Sequence, residues 1–202
     1  MNHPIYQVRS KLVSRYPGIC LEFSKYVYKE YGITESREII RATEDKIDED
    51  WLRDQVRNLG SEQELAMHSR VIWKSKIYHM PMIDFTNIHM HDDVGPRIQM
   101  VDEFLNKDIW IYDSGNSFHG YYFCLINETR WYEFLGKCLL CNSPREQPTQ
   151  IVDPRWIGHS LEHGFSALRW SKNTNRHRSI PHLVYSKHSS EESLDAITSI
   201  GT

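Results

Sequence analysis

A hairpin limits the topology of this chain more than anything else in its sequence. Ile109-Trp110-Ile111-Tyr112 and Tyr121 to Ile126 are rich in the aromatic and β-branched residues that suit a pleated surface. Between them, Ser, Gly and Asn in Asp113-Ser114-Gly115-Asn116 supply the permissive backbone of a turn. Ser117 and His119 then stand where the hairpin leaves its loop, two residues apart and on one face of a sheet. A hydroxyl and an imidazole so placed can both reach one anionic ligand. Taken alone, the stretch favours an ordinary hairpin with a surface histidine, so its neighbours in the chain decide.

A chain of 202 residues has room for one substantial domain with a small helical appendage. An apolar content of 40%, with 12% aromatic, is globular, and the apolar runs are too short to span a bilayer. Met1-Asn2-His3-Pro4 lacks the apolar core of a secretory signal, which points to the cytoplasm and to four cysteines held as thiols. A net charge of −3 excludes a generally basic duplex-binding surface, so any nucleic-acid contact must be local. Positive charge does gather at Arg169, Lys172, Arg176 and Arg178, with His177 and His182 beside it.

From Pro17, the residues Ile19, Phe23, Tyr26, Val27 and Tyr31 recur at helical spacing and Gly32 suits a stop. Ile39 and Ile40, then Trp51, Leu52, Val56 and Leu59, add further helical pieces. Residues 1–62 are therefore expected to form a helical N-terminal layer, 63–185 an α+β core, and 186–202 a frayed tail. Within the core, Val71-Ile72-Trp73 and Ile77 to Phe85 read as strands around a turn at Lys74-Ser75-Lys76, with Pro81 marking an edge or a bulge. Asp84 closes the second strand, where an ionised carboxylate is costly unless a cation, donor or metal pairs with it.

A polar turn over 87–95 carries His89, His91, Asp92 and Asp93, after which Pro96 opens a helix with Ile98, Val101, Phe104 and Leu105 as its buried stripe. Asn127 caps a helix whose buried face is Trp131, Phe134, Leu135, Cys138 and Leu139, which favours buried thiols over zinc for Cys138 and Cys141. A second carboxylate, Asp153, follows Ile151-Val152, and Pro154 is expected to end the regular structure. Gly158 to Gly164 reads as a short irregular or helical segment with His159 and His163, Phe165 to Trp170 as a strand, and Ile180 to Tyr185 as a last strand.

In order, these residues give an Asp at a strand end (Ile83-Asp84-Phe85), a helix, Ser117-Phe118-His119, another helix, Val152-Asp153, and Leu168-Arg169-Trp170-Ser171-Lys172-Asn173. The series resembles the catalytic core of the archaeo-eukaryotic primase superfamily, the primase-polymerases, over residues 70 to 185. The resemblance implies an RRM-like mixed-sheet palm packed on an α/β unit. It implies Asp84 and Asp153 as catalytic ligands of Mg²⁺ or Mn²⁺, and Ser117 and His119 as contacts to the phosphates of an incoming nucleoside triphosphate. Arg169 and Lys172 follow as further nucleotide-binding residues. The partners implied are nucleoside triphosphates, single-stranded nucleic acid, and a helicase or other replication protein, with no membrane. The chemistry is coherent in its own right, since nucleotidyl transfer needs hard oxygen ligands for the metals and cationic or N–H donors for the triphosphate.

The first motif departs from the family pattern, because Thr86 stands where the family carries a second acid. Three resolutions stay open: Asp92 or Asp93 folds back to supply it, one metal is held weakly, or catalysis has lapsed. Two functions of different class follow. One is metal-dependent nucleotidyl transfer on a single-stranded template; the other is a lapsed module that binds nucleotide or nucleic acid as adaptor or sensor. A third reading builds a metal-assisted phosphohydrolase or nuclease from His89, His91, His159 and His163, at spacings that match no nuclease motif.

Overall fold

The computed structural model describes residues 2–29, 32, 36–86, 94–142 and 150–186, with the backbone alone for 94–97. In chain order the elements are α1 (Pro4–Gln7), which continues as a π-helical turn over Val8–Val13, β1 (Cys20–Val27), β2 (Arg37–Thr43), α2 (Glu49–Arg57), β3 (Gln63–Trp73), β4 (Lys76–His79), β5 (Met82–Asp84), α3 (Val94–Leu105), β6 (Trp110–Asp113), β7 (Phe118–Tyr121), α4 (Glu128–Leu140), α5 (Pro154–His163), β8 (Ala167–Arg169) and β9 (His182–Ser186). They build two sheets. The first has the order β2-β1-β3-β4 with β8 also on β3, and the second has the order β5-β7-β6-β9.

The mixed sheet expected from sequence is corrected by the register, since each of these pairings is antiparallel. β5 and β6, joined through α3, do run in the same direction, but β7 lies between them and is antiparallel to both. The helix crossover therefore skips one position in the sheet, and the hairpin strand fills it.

The helical N-terminal layer is also corrected. Residues expected to be helical after Pro17 form β1, and Ile39 and Ile40 lie in β2; only α2, capped by Asp48 on the Trp51 amide at 2.8 Å, is a helix where one was expected. Ile19 and Phe23 are four residues apart, a spacing that a 3.6-residue and a 2-residue period both satisfy. Glu22 and Ser24, which alternate with Leu21 and Phe23, are themselves buried. Glu22 accepts from Arg41 Nε at 3.0 Å and Arg70 Nε at 2.7 Å, and Ser24 accepts from Arg37 Nη1 at 3.0 Å. Strand pairing with the long β3 satisfies the backbone of β1, and these cross-strand partners satisfy its side chains.

Lys74 and Ser75 turn β3 into β4 with φ of 49° and 59°, both in the left-handed region that tight hairpins use. At Pro81 the chain leaves the first sheet for the second. The strand expected over Tyr121 to Ile126 falls earlier, at β7, and meets the expectation only at Tyr121; beyond Met82↔Tyr121 the partner is Pro81, which has no N–H to give. Tyr122 instead donates to the Pro81 carbonyl at 3.0 Å, and Ile126 bridges to His79 in the first sheet. The two sheets are thus stitched by neighbouring crossings. Behind them α3 packs on α4, and Trp131, Phe134, Leu135, Ile98 and Val101 join the buried core. Cys138 and Cys141 are buried in that core, and the four cysteines form no disulfide among the described residues. No helix among them is long and apolar enough to cross a membrane.

Pro154 opens α5 instead of ending regular structure: Asp153 caps the helix on the Arg155 amide at 2.8 Å, and Gly164, with φ of 72°, closes it. A proline that lacks a donor loses nothing at the first helical position. After β8, the chain is tied down by one buried acid. Glu64 accepts from Ser171 Oγ, from the Asn173 amide, and from the amide and hydroxyl of Thr174, both at 2.7 Å. Burial pushes the Glu64 carboxyl upward, and these donors more than offset it, so it lies below the ordinary range.

Glu64→Gln replaces one accepting oxygen by an amine facing these donors. It is expected to cost about 1–3 kcal/mol of unfolding free energy and to raise proteolytic cleavage within residues 171–179, measured by urea titration and limited proteolysis. Unchanged stability and unchanged cleavage would show that the carboxylate does not organise this loop.

Candidate functional site

Asp84 ends β5 directly opposite His119 of β7, which in turn faces Tyr112 of β6. Opposed residues share a face, so the acid and the imidazole project together toward the first sheet. Asp153 arrives by a short strand-like pairing: Phe85 bridges to Val152, and the Asp153 amide donates to the Asp84 carbonyl at 3.0 Å. Two acids 69 positions apart in sequence are held side by side by their own backbones. Ser117 Oγ lies 3.5 Å from Asp84 Oδ1 and His119 Nε2 lies 3.9 Å from the same oxygen.

The turn that carries Ser117 is locked against the loop after β8. Gly115 has φ of 95°, and a Cβ there would come within 2.6 Å of the Ser179 amide nitrogen, so only glycine permits this approach. Asn116 Nδ2 donates to the Arg176 carbonyl at 2.9 Å. Arg169, on β8 and 5% exposed, donates to the carbonyls of Ser171, Ser114 and Ser179. No carboxylate accepts from Arg169 in these bonds, so its charge faces the site.

Between these groups lies a cleft of about 200 Å³, lined by Asp84, Ser117, His119, Asp153, Arg169 and His177, with Tyr26, Tyr28 and Arg37 from the β1–β2 side and Trp156 and His159 from α5. Of the residues read from sequence, Asp84, Ser117, His119, Asp153 and Arg169 converge here. Lys172 is exposed and does not line the cleft. Asp92, Asp93, His89 and His91 lie outside the described residues. Thr86 is not among the lining groups: its hydroxyl donates to the Gln150 carbonyl and its amide to Ile151 at 3.0 Å. The β1–β2 contribution was illegible because β1 was read as a helix. His177 carried a signal, its place in the basic loop, but nothing in sequence said which loop residue turns inward.

Burial raises the Asp84 carboxyl to about 8, the nearby Asp153 adds to that rise, and Ser117 and Arg169 only partly offset it. His119 is held well below the ordinary imidazole range by burial, then by Arg169 and His177, and His177 falls to about 4 for the first two reasons. Both rings are neutral at pH 7. His119 Nδ1 and His177 Nε2 are shielded from solvent and have no hydrogen-bond partner among the described residues. Such a site holds two acids that resist sharing negative charge and two neutral imidazoles with an unused nitrogen each. A hard divalent cation between Asp84 and Asp153 fits this donor set, with the second Asp153 oxygen left over from its capping role. Among the described residues of the cleft, two carboxylates are present.

The archaeo-eukaryotic primase 1D-like family model matches residues 43–182 of this chain. No curated protein matches. Among solved structures, the crystal structure of primase RepB' aligns over 98% of this chain and 69% of its own, at 7% identity and a TM-score of 0.40.

The raised Asp84 carboxyl has a signed consequence. In the unfolded chain an Asp ionises near 3.8, so between that pH and about 8 the folded state holds the extra proton and its stability falls as pH rises. In EDTA, wild-type stability measured by urea titration is expected to decline from about pH 5 to 8 relative to Asp84→Asn, which has no proton to lose there. A wild-type-minus-variant difference that stays flat over this window would contradict the buried, raised carboxyl.

Proposed function

This chain belongs to the archaeo-eukaryotic primase 1D-like family, and from that premise we propose that its cleft carries out metal-dependent nucleotidyl transfer from nucleoside triphosphates on a single-stranded nucleic-acid template. The observation that carries the reading is the convergence of Asp84 and Asp153 beside Ser117, His119 and Arg169 in one cleft. The order β5, α3, β6, β7, with β7 between the two parallel strands, supports reading this unit as an RRM-like palm.

In this reading Asp84 and Asp153 hold Mg²⁺ or Mn²⁺, which when bound supplies charge stabilisation for the attacking and leaving oxygens. Deprotonated Asp84 is the binding form, so metal affinity rises with pH toward about 8. Ser117 and neutral His119 donate to phosphate oxygens, and the fixed charge of Arg169 stabilises the triphosphate without leaving its three carbonyls. The 3′-hydroxyl of the primer or initiating nucleotide, paired to the template, attacks the α-phosphorus, its proton passes to solvent, and pyrophosphate leaves. Tyr28, 43% exposed where it lines the cleft, offers a ring against which a base or sugar can pack. Strand separation and access to replication sites fall to a helicase or other replication partner.

A second reading has its own observation. Thr86 turns its hydroxyl to a backbone carbonyl and leaves the cleft with two carboxylates among the described residues. A lapsed module that binds nucleotide or nucleic acid as adaptor or sensor needs no more than that.

Labelled ATP binding with Mn²⁺ or with EDTA, followed by extension of a primed single-stranded template, separates these readings. The enzyme is expected to bind ATP in a metal-dependent way and to lengthen the primer, and Asp84→Asn or Asp153→Asn to lower extension by at least about 100-fold. Asparagine keeps the α5 cap, so folding is retained. Binding without extension supports the lapsed module, and no binding overturns both. His119→Ala is expected to weaken triphosphate affinity more than metal affinity; equal losses would make His119 a metal ligand.

A further inference from the structure

The C-terminal half of α5 carries a second cluster of ligating groups, outside the two acids. His159, Glu162 and His163 each offer one donor atom, and the three atoms lie within 4.8 Å of one another. The spacing i, i+3, i+4 places all three on one helix face. A tetrahedral zinc shell sets its donors about 3.3 Å apart, given metal–ligand bonds near 2.0–2.1 Å. Side-chain rotation in partly exposed residues closes that difference.

The hydrogen bonds set the tautomers that a metal would need. His163 Nδ1 lies 2.8 Å from the His159 carbonyl, which only accepts, so Nδ1 carries the proton and Nε2 presents its lone pair. His159 Nδ1 is shielded from solvent, has no hydrogen-bond partner among the described residues, and lies 3.8 Å from Glu162 Oε2, beyond hydrogen-bond reach. The two rings lie 6.1 Å apart at 23°, one turn along the same helix.

We propose that His159, Glu162 and His163 bind a divalent transition ion of the Zn²⁺ class, at a site separate from Asp84 and Asp153. Two imidazole nitrogens and one carboxylate favour Zn²⁺ over Mg²⁺, which prefers oxygen and its own water. Two histidines at i and i+4 on one helix face are a recurrent zinc chelate. The shell is incomplete on the solvent side, where Arg155 and Gly158 border the same depression, so water or an anionic oxygen completes it. His159 also lines the main cleft, which puts the ion at its rim. The proposal does not depend on nucleotidyl transfer.

Calorimetric titration of Zn²⁺ into the metal-stripped full chain, with excess Mg²⁺ present, tests it. One saturable Zn²⁺ per chain is expected, and His159→Ala with His163→Ala should weaken it by at least about 100-fold, since both direct ligands are gone. Asp84→Asn with Asp153→Asn should leave it unchanged. Zn²⁺ should raise the thermal midpoint of the wild type and not of the His variant, whose metal-free midpoint controls for folding. His159→Gln alone, which keeps helix and volume, should show the same direction of loss. The proposal is overturned if Zn²⁺ affinity survives in the His variants, if it disappears in the Asp pair, or if no saturable binding occurs.

Discussion

The guanidinium of Arg169 is the contact on which the two sheets agree. It stands on β8 of the first sheet and reaches the carbonyl of Ser114 in the second sheet's hairpin, while it also holds Ser171 and Ser179 of the loop between β8 and β9. Carbonyls satisfy its N–H groups and leave its charge intact. A carboxylate in their place would fix the same geometry and cancel the field. The wall of the cleft is therefore positive by construction, and the buried position keeps that charge from being screened by salt.

Glu64 complements it from the other side of the same loop. One buried anion collects donors from Ser171, Asn173 and Thr174, and one buried cation collects carbonyls from either end of the segment, so the backbone between β8 and β9 has little freedom. Gly115 then lets the hairpin turn sit directly on Ser179. Placement of Ser117 thus depends on residues more than fifty positions downstream. Within this rigid frame the adaptable elements are the protons: Asp84 keeps one up to about pH 8, and His119 and His177 have given theirs up.

Much of the site was legible in the chain because its chemistry is local in sequence. A Ser-x-His after a turn, and acids directly after β-branched residues, announce themselves at short range, and the structure brings Asp84, Ser117, His119, Asp153 and Arg169 to one cleft. Legibility failed where long-range pairing decided the outcome. Ile19 and Phe23 fit either period, and only β3 as a partner makes β1 a strand. Glu22 and Ser24 of β1 are covered by Arg41, Arg70 and Arg37, partners that strand pairing supplies. Pro154 was read as a stop because the cap at Asp153 is visible only in three dimensions. Lys172 and His177 show the same limit within one loop: sequence marks the loop as basic, and the Glu64 anchor selects which residue turns in.

The antiparallel pairing Ala66↔Arg169 joins positions at opposite ends of the described core. Hairpins such as β3–β4 and β6–β7 close over a few residues, whereas β8 must find β3 across about half of the chain, which is entropically slow. During synthesis the acid at Glu64 emerges long before the donors that will surround it, and Asp84 long before Asp153. The cleft is therefore complete only once β8 has paired with β3.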